Sequence, residues 1–289
     1  MPLPLPLLLV QPIVDAALAE DLGLGDPTTE TLIPYEWQGV ASLRVKAPGV
    51  LAGLPVAELA FRRVDPAVRV ETLVEDGSQV EPGQVVARIA GPVASILRAE
   101  RVALNFLQRM SGIASETARY VAAVADLPVR IIDTRKTVPG LRLLDKYAVR
   151  MGGGHNHRQN LADGVLIKDN HLAALETFAG LGVADAVREA RRRASHTLNI
   201  EVEADTLDQV RQALEGGADI ILLDNMTPEQ MREAVEMVAG RAITEASGGI
   251  TLATVRAVAE TGVDLISVGS LTHSTRALDI SLDLEFVKG

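Results

Sequence analysis

The chain has 289 residues, 47% of them apolar but only 3% aromatic, so it has the length for a substantial core built from Val, Leu, Ile and Ala rather than from rings. Its 28 Lys and Arg against 38 Asp and Glu leave a net charge of −10, which repels nucleic acid and anionic membrane unless cations are gathered locally. No cysteine is present, which excludes disulfides, thiolate zinc sites and a Cys nucleophile and fits a reducing compartment.

In chain order, Met1 to Val14 is the one stretch with the flavour of a targeting signal. It lacks a basic start, and Pro4, Pro6 and Pro12 interrupt it. No run reaches the roughly 18 apolar residues of a membrane span, so the expectation is a soluble, cytoplasmic protein. The spacing predicts an amphipathic helix from Val10 to Leu22, ended by Gly23 to Asp26. Between about residues 38 and 95, short apolar runs such as Val68 to Val74 and Val85 to Ile89 alternate with Asp76-Gly77 and Pro82-Gly83 turns, which reads as antiparallel sheet. Helical spacing returns from Ile96 to Met110, and Gly112 predicts a break before a second helix to Ala125.

After Pro128 one theme repeats: a β-branched apolar run, a polar or Gly-rich turn, then a helical stretch. The runs are Val129 to Ile132, Val165 to Ile167, Ile200 to Ala204, Ile220 to Leu223, Ala242 to Thr244 and Leu265 to Val268. Strands alternating with helices predict a parallel sheet, and the lack of a GxGxxG or Walker A sequence favours a barrel over an open nucleotide-binding sheet. The strand ends carry Asp133-Thr134-Arg135-Lys136, Lys168-Asp169-Asn170-His171, Glu203 and Asp205, Asp224-Asn225, Glu245 with Ser247-Gly248-Gly249, and Gly269-Ser270. In a βα barrel these ends form one rim, which is the candidate site.

Charge sharpens that expectation. Residues 130 to 171 hold eight Lys or Arg against four Asp, a +4 island in a −10 chain, as suits a small polyanionic ligand. Glu201, Glu203 and Asp205 are in phase on one strand and should point inward, where carboxylates need cations, a metal or a hydroxylated ligand. Gly-containing turns after the last two strands suit a phosphate. Gly152-Gly153-Gly154 implies close backbone approach or unusual dihedrals. His155 and His157 without a third spaced His or Cys make a weak zinc signal.

The runs EDLGLGDPTT (20 to 29), ERVALNFLQRMSGIA (100 to 114), DTRKTVPGLRLLDKYAV (133 to 149), GGGHNHRQNLADGVLIKDNH (152 to 171), IEVE (200 to 203), LLDN (222 to 225), EASGGI (245 to 250) and GVDLISVGSLTHS (262 to 274) resemble those of the quinolinate phosphoribosyltransferase family over nearly the whole chain. The resemblance implies an α/β protein: an N-terminal α+β sandwich domain over 1–113, then an incomplete parallel α/β barrel over 114–272, with the tail from about 273 to 289 returning to the first domain. It implies transfer of phosphoribosyl from phosphoribosyl pyrophosphate to quinolinate with decarboxylation, Mg²⁺ as cofactor, and a homodimer. It implies that Arg135, His157, Arg158 and Lys168 hold the quinolinate carboxylates and that Arg101 reaches the partner's site. Lys136, Lys168, Glu203 and Asp224 take the catalytic places, Glu203 and Asp224 serving the metal, while Ser247, Gly248, Gly249, Gly269 and Ser270 receive the 5-phosphate. Asn160 departs from the glycine of many relatives and puts local backbone geometry in question.

Three other readings stand beside this one: a related phosphoribosyltransferase with a different acceptor, a Schiff-base aldolase using Lys168, and a lipoyl-like carrier over 71–91. The last lacks its acceptor, since no Lys lies between Lys46 and Lys136.

Overall fold

The computed structural model describes residues 5–285. The expected tail beyond residue 285 and the first four residues of the N-terminal stretch therefore lie outside the described residues. Along the chain come α1 (Leu7–Leu22), α2 (Pro27–Leu32), β1 (Gln38–Val45), β2 (Gly49–Val50), α3 (Leu54–Val64), β3 (Arg69–Thr72), β4 (Gln79–Val80), β5 (Val85–Pro92) and α4 (Val93–Ala123). Then follow β6 (Arg130–Ile132), α5 (Arg142–Met151), β7 (Val165–Ile167), α6 (Asp169–Ala179), α7 (Val183–Arg193), β8 (Ile200–Ala204), α8 (Leu207–Gly216) and β9 (Ile220–Asp224). The series ends with α9 (Pro228–Val238), β10 (Ile243–Ser247), α10 (Val255–Ala259), β11 (Leu265–Ser267), α11 (Ser270–His273) and β12 (Ile280–Glu285). No helix among the described residues is long and apolar enough to cross a membrane.

Two compact units result. The first comprises residues up to Ala118 with Thr137–Gly153 and the chain from Ser270, the second Arg119–Lys136 with Gly154–Gly269. This division differs from bounds at 113 and 272, because α5 and the glycine after it pack on α4. A Cβ at Gly152 would stand 2.3 Å from Ala114 O and 2.6 Å from Thr117 Cβ, so only glycine lets the chain pass there.

The first unit is built on an antiparallel sheet in the order β12-β1-β5-β3, Val40 facing Glu285 and Val45 facing Ile280 across β1 and β12. Two expectations need correction. Residues 38 to 95 are not sheet throughout, since α3 buries Leu54, Ala57, Ala60 and Phe61 at helical spacing. And α4 continues through Gly112: a Cβ there would lie 2.1 Å from Arg276 O, so this glycine serves a close crossing and not a helix stop.

The second unit is a parallel sheet in the order β6-β11-β10-β9-β8-β7, with β6 and β7 at its edges. Side chains alternate strictly. On β9 Ile221 and Leu223 are fully buried beneath the covering helices, while Ile220, Leu222 and Asp224 take the other face. Thr206 and Thr227 each close a capping box with a glutamine three residues on, which fixes where α8 and α9 leave the strand ends. The sheet is strongly curved. His155 bridges Ile132 outside the β6 edge, yet His157, two residues on, meets Glu201 on β8 near the opposite edge.

Candidate active site

Four strand ends of the second unit bring their polar groups together. Lys168, the residue between β7 and α6, ion-pairs through Nζ with Glu203 Oε1 of β8, and the Asp169 amide donates to Glu203 Oε2 at 3.2 Å. At the end of β9, the Asp224 carboxyl is held above the usual carboxylate range, first by burial and then by the Glu203 charge, with the Asn225 hydrogen bond, Lys168 and Lys136 opposing. The ion-paired Lys168 amine is not the free nucleophile in an apolar pocket that Schiff-base chemistry requires. Asp205, expected to join this row, is exposed instead, its amide donating at 2.9 Å to Gln209 Oε1 of the α8 cap.

The turn after β10 is built around the same carboxylate. Ser247 lies in register with Asp224, and its carbonyl accepts the Asn225 amide at 3.0 Å. Asn225 adopts φ 55° and donates through Nδ2 to Asp224 Oδ2 at 2.9 Å. Gly248, at φ +97°, has Asn225 Oδ1 only 2.1 Å from where a Cβ would be, whereas Gly249, at φ +61°, faces open space. Gly269 follows β11, and Ser270 opens α11.

A second group is cationic. Arg158 stands near Arg135, and burial followed by the Arg135 charge pulls its guanidinium below the usual arginine range, against the pull of Glu201, Glu203 and Asp163. Arg158 Nη1 donates to Gly164 O at 3.2 Å, but the Nε atoms of both arginines are buried without a hydrogen-bonding partner. Two like charges with unused donors make a receptor for a planar dianion.

Beneath them His157, expected on the quinolinate carboxylates, meets Asp133, Glu201 and Glu245, to which the sequence assigns no individual role. Asp133, fully buried, accepts the His157 amide at 2.8 Å and Asn156 Nδ2 at 2.7 Å, which pins the segment that carries Arg158. His157 Nδ1 accepts the Arg158 amide at 2.6 Å, so the ring hydrogen is assigned to Nε2, 3.2 Å from Glu201 Oε2 and 3.9 Å from Glu245 Oε2. His157, Glu201 and Glu245 have donor atoms within 4.8 Å of one another, as a metal site would, but a nitrogen that bears hydrogen has no lone pair for a metal. Strand-end position was the available signal for Asp133, whereas Glu245, read as following a strand that ends at Thr244, stands in the middle of β10 (Ile243–Ser247).

A cavity of about 370 Å³ is lined by His157, Arg158, Glu201 and Glu245 and extends to Arg130 and Asn199. A larger hollow of about 610 Å³ lies at the starts of β9 and β10, where Asp219 and Asp264 are already engaged by Arg191 and Thr244. Neither hollow is lined by Lys168, Glu203 or Asp224: the smaller opens at the strand starts, by Arg130, Val165, Asn199, Ile220 and Ile243, behind His157, Glu201 and Glu245. Asn160 accepts the Ala162 amide at 2.7 Å and is not among the residues at positive φ, so its turn has no need of glycine.

Two family models cover most of the chain: "Quinolinate phosphoribosyl transferase, N-terminal domain" matches residues 26–111 and "Quinolinate phosphoribosyl transferase, C-terminal domain" residues 113–283. The chain belongs to the quinolinate phosphoribosyltransferase family. Among quinolinate phosphoribosyltransferase relatives, the probable nicotinate-nucleotide pyrophosphorylase [carboxylating] of Bacillus subtilis is 44% identical over 92% of this chain and 90% of its own length. The quinolinate phosphoribosyltransferase [decarboxylating] 2, mitochondrial, of Nicotiana glauca is 43% identical over 94% of this chain and 81% of its own. Among solved structures, NadC from Streptococcus pyogenes superposes with a TM-score of 0.94 at 42% identity, covering 99% of this chain and 100% of that one. Of the residues the family resemblance implicates, the second unit gathers Lys168, Glu203 and Asp224, with Lys136 and the Ser247–Gly249 turn against Asp224, and sets Arg135 by Arg158. Arg101 belongs to the first unit, exposed on α4 beside Glu100.

Proposed function

We propose that this chain catalyses transfer of phosphoribosyl from phosphoribosyl pyrophosphate to quinolinate, releasing pyrophosphate and CO₂ and forming nicotinate mononucleotide for NAD biosynthesis. The observation that carries this reading is the pair Arg135 and Arg158, with buried unpartnered Nε atoms, in the same unit as the Lys168–Glu203–Asp224 set. Two forks suit two carboxylates on a flat ring, and the carboxylates with the glycine turn suit a ribose phosphate. His157 backs Arg158 from beneath, both its ring nitrogens being engaged by the protein.

In this reading the pyridine nitrogen attacks the anomeric carbon as the bond to pyrophosphate breaks, and pyrophosphate leaves with the electron pair. Glu203 and Asp224 stabilise the positive charge that develops on the sugar. The pyridinium then accepts the electron pair left on the neighbouring ring carbon as CO₂ departs, and that carbon takes a proton from solvent. No protein nucleophile is needed; the residues orient and neutralise. Lys168 joins Arg135 and Arg158 on the quinolinate carboxylates, Lys136 serves the phosphoribosyl pyrophosphate, and Ser247, Gly248, Gly249, Gly269 and Ser270 receive the 5-phosphate.

Glu203 and Asp224 also fit Mg²⁺, since they are neighbouring carboxylates and Asp224 is raised first by burial and then by the Glu203 charge. When bound, the ion supplies charge neutralisation and oxygen coordination. We place the protein in the cytoplasm as a homodimer in which Arg101 completes the partner's site. The test is a product assay with quinolinate and with nicotinate as acceptor, each with phosphoribosyl pyrophosphate and Mg²⁺. Quinolinate should yield CO₂ and pyrophosphate one-for-one and nicotinate neither. Equal use of nicotinate, or pyrophosphate without CO₂, would overturn the reading.

A further inference from the structure

The barrel interior holds a carboxyl that the reaction as drawn does not use. Glu245 stands mid-strand on β10, 1% exposed. Its register partners on the neighbouring strands are Leu222 and Leu265, both buried, so neither offers it a cation. The polar groups that face it are Glu201 from β8, His157 and Asp133 from the segments around the β6 edge, and the Ser267 hydroxyl from β11. One imidazole therefore stands among three acids.

The hydrogen bonds decide which acid goes without. Asp133 is held by the His157 amide and Asn156. Glu201 lies closer to His157 Nε2 than Glu245 does and takes the ring hydrogen. Glu245 Oε1 has no hydrogen-bonding partner in the protein. An ionised carboxylate in that place would suffer both lost hydration and repulsion from Glu201, whereas an uncharged acid suffers little of either. In agreement, burial first and the Glu201 charge second push the Glu245 carboxyl up to about 7.

We infer that Glu245 is a positioning residue for the dicarboxylate pocket: as an uncharged acid it leaves the Glu201–His157 pair intact, and His157 in turn holds the Arg158 amide. The inference rests on the reading of Arg135 and Arg158 as the forks that meet quinolinate. Loss of the Glu245 proton to solvent sets a second carboxylate 3.9 Å from His157 Nε2, which competes with Glu201 for the ring hydrogen and draws the neutral imidazole toward itself. A ring turned toward Glu245 no longer presents Nδ1 to the Arg158 amide. The backbone at Arg158, and the guanidinium with it, would then lose its seat.

The test compares the full-length wild type with Glu245→Gln, an uncharged isostere, and Glu245→Ala. Quinolinate affinity by calorimetry, and KM and kcat for quinolinate, are followed from about pH 6 to 9, where the ligand's carboxyls stay ionised. In the wild type KM should rise about tenfold per pH unit once Glu245 ionises, kcat changing little. Glu245→Gln should hold the low-pH KM throughout, and Glu245→Ala should raise KM at every pH. A wild type with flat KM, or a Glu245→Gln variant that keeps the wild-type profile, overturns the inference even if the alanine variant fails to fold. A wild type that binds no quinolinate at any pH overturns the functional reading, and this inference with it.

Discussion

A guanidinium meets a carboxylate with two parallel donors, so it fixes the plane of a ligand as well as its charge, which a lysine ammonium cannot do. Arg135 and Arg158 have that capacity unspent, their Nε atoms buried and unpartnered. Lys168 differs, since its Nζ already balances Glu203 beside Asp224. Arg135→Ala and Lys168→Ala should each lower kcat/KM for quinolinate by on the order of a hundredfold or more, because the first leaves a ligand carboxylate and the second the Glu203 carboxylate without its partner. Arg135→Lys should restore little. Steady-state kinetics on folded variants decide this, and near wild-type turnover in both alanine variants would sink the assignment. At this scale the sequence displayed the charges but not their pairings. Lys168 and Glu203 could be read as inward groups at strand ends, whereas the meeting of His157 with Glu201 depends on a sheet curved until its edges approach, a property no local spacing encodes.

At the scale of elements, the strands of the second unit were legible because parallel strands buried on both sides are written as short β-branched runs, and β7 and β8 begin and end where those runs do. Glycine was harder. It can stop a helix, permit a left-handed turn or let two backbones touch, and only the neighbour tells which. Gly112 proved to be a crossing point inside α4, and Gly152 another against the same helix. Gly248 combines two of these demands, with φ +97° and Asn225 Oδ1 2.1 Å from its would-be Cβ. Gly248→Ala must therefore shift Asn225, which orients Asp224, whereas Gly249→Ala bears backbone strain alone. The first should cost about 1–3 kcal/mol of stability and raise KM for phosphoribosyl pyrophosphate severalfold, the second about 1 kcal/mol with a smaller rise in KM. Thermal unfolding with substrate titrations checks both, and equal KM changes would show that the Asn225 contact does not matter.

Across the whole molecule the net charge of −10 is carried outside a cationic stretch of only 42 residues, 130 to 171, so small anions have a local destination while large polyanions meet a repelling surface. Arg101 lies outside that stretch, exposed on α4 in the first unit. If each site draws its own Lys168 and its partner's Arg101, a chain with Arg101→Ala and a chain with Lys168→Ala are separately inactive but complementary. In a mixed dimer one site collects both substitutions and the other collects neither. Random pairing of equal populations makes half the dimers mixed, each with one intact site of two, so coexpression should recover about a quarter of wild-type activity. Differently tagged chains purified through both tags should show about half the wild-type activity per dimer. Mixed dimers that form and remain inactive would confine Arg101 to its own subunit or to the surface.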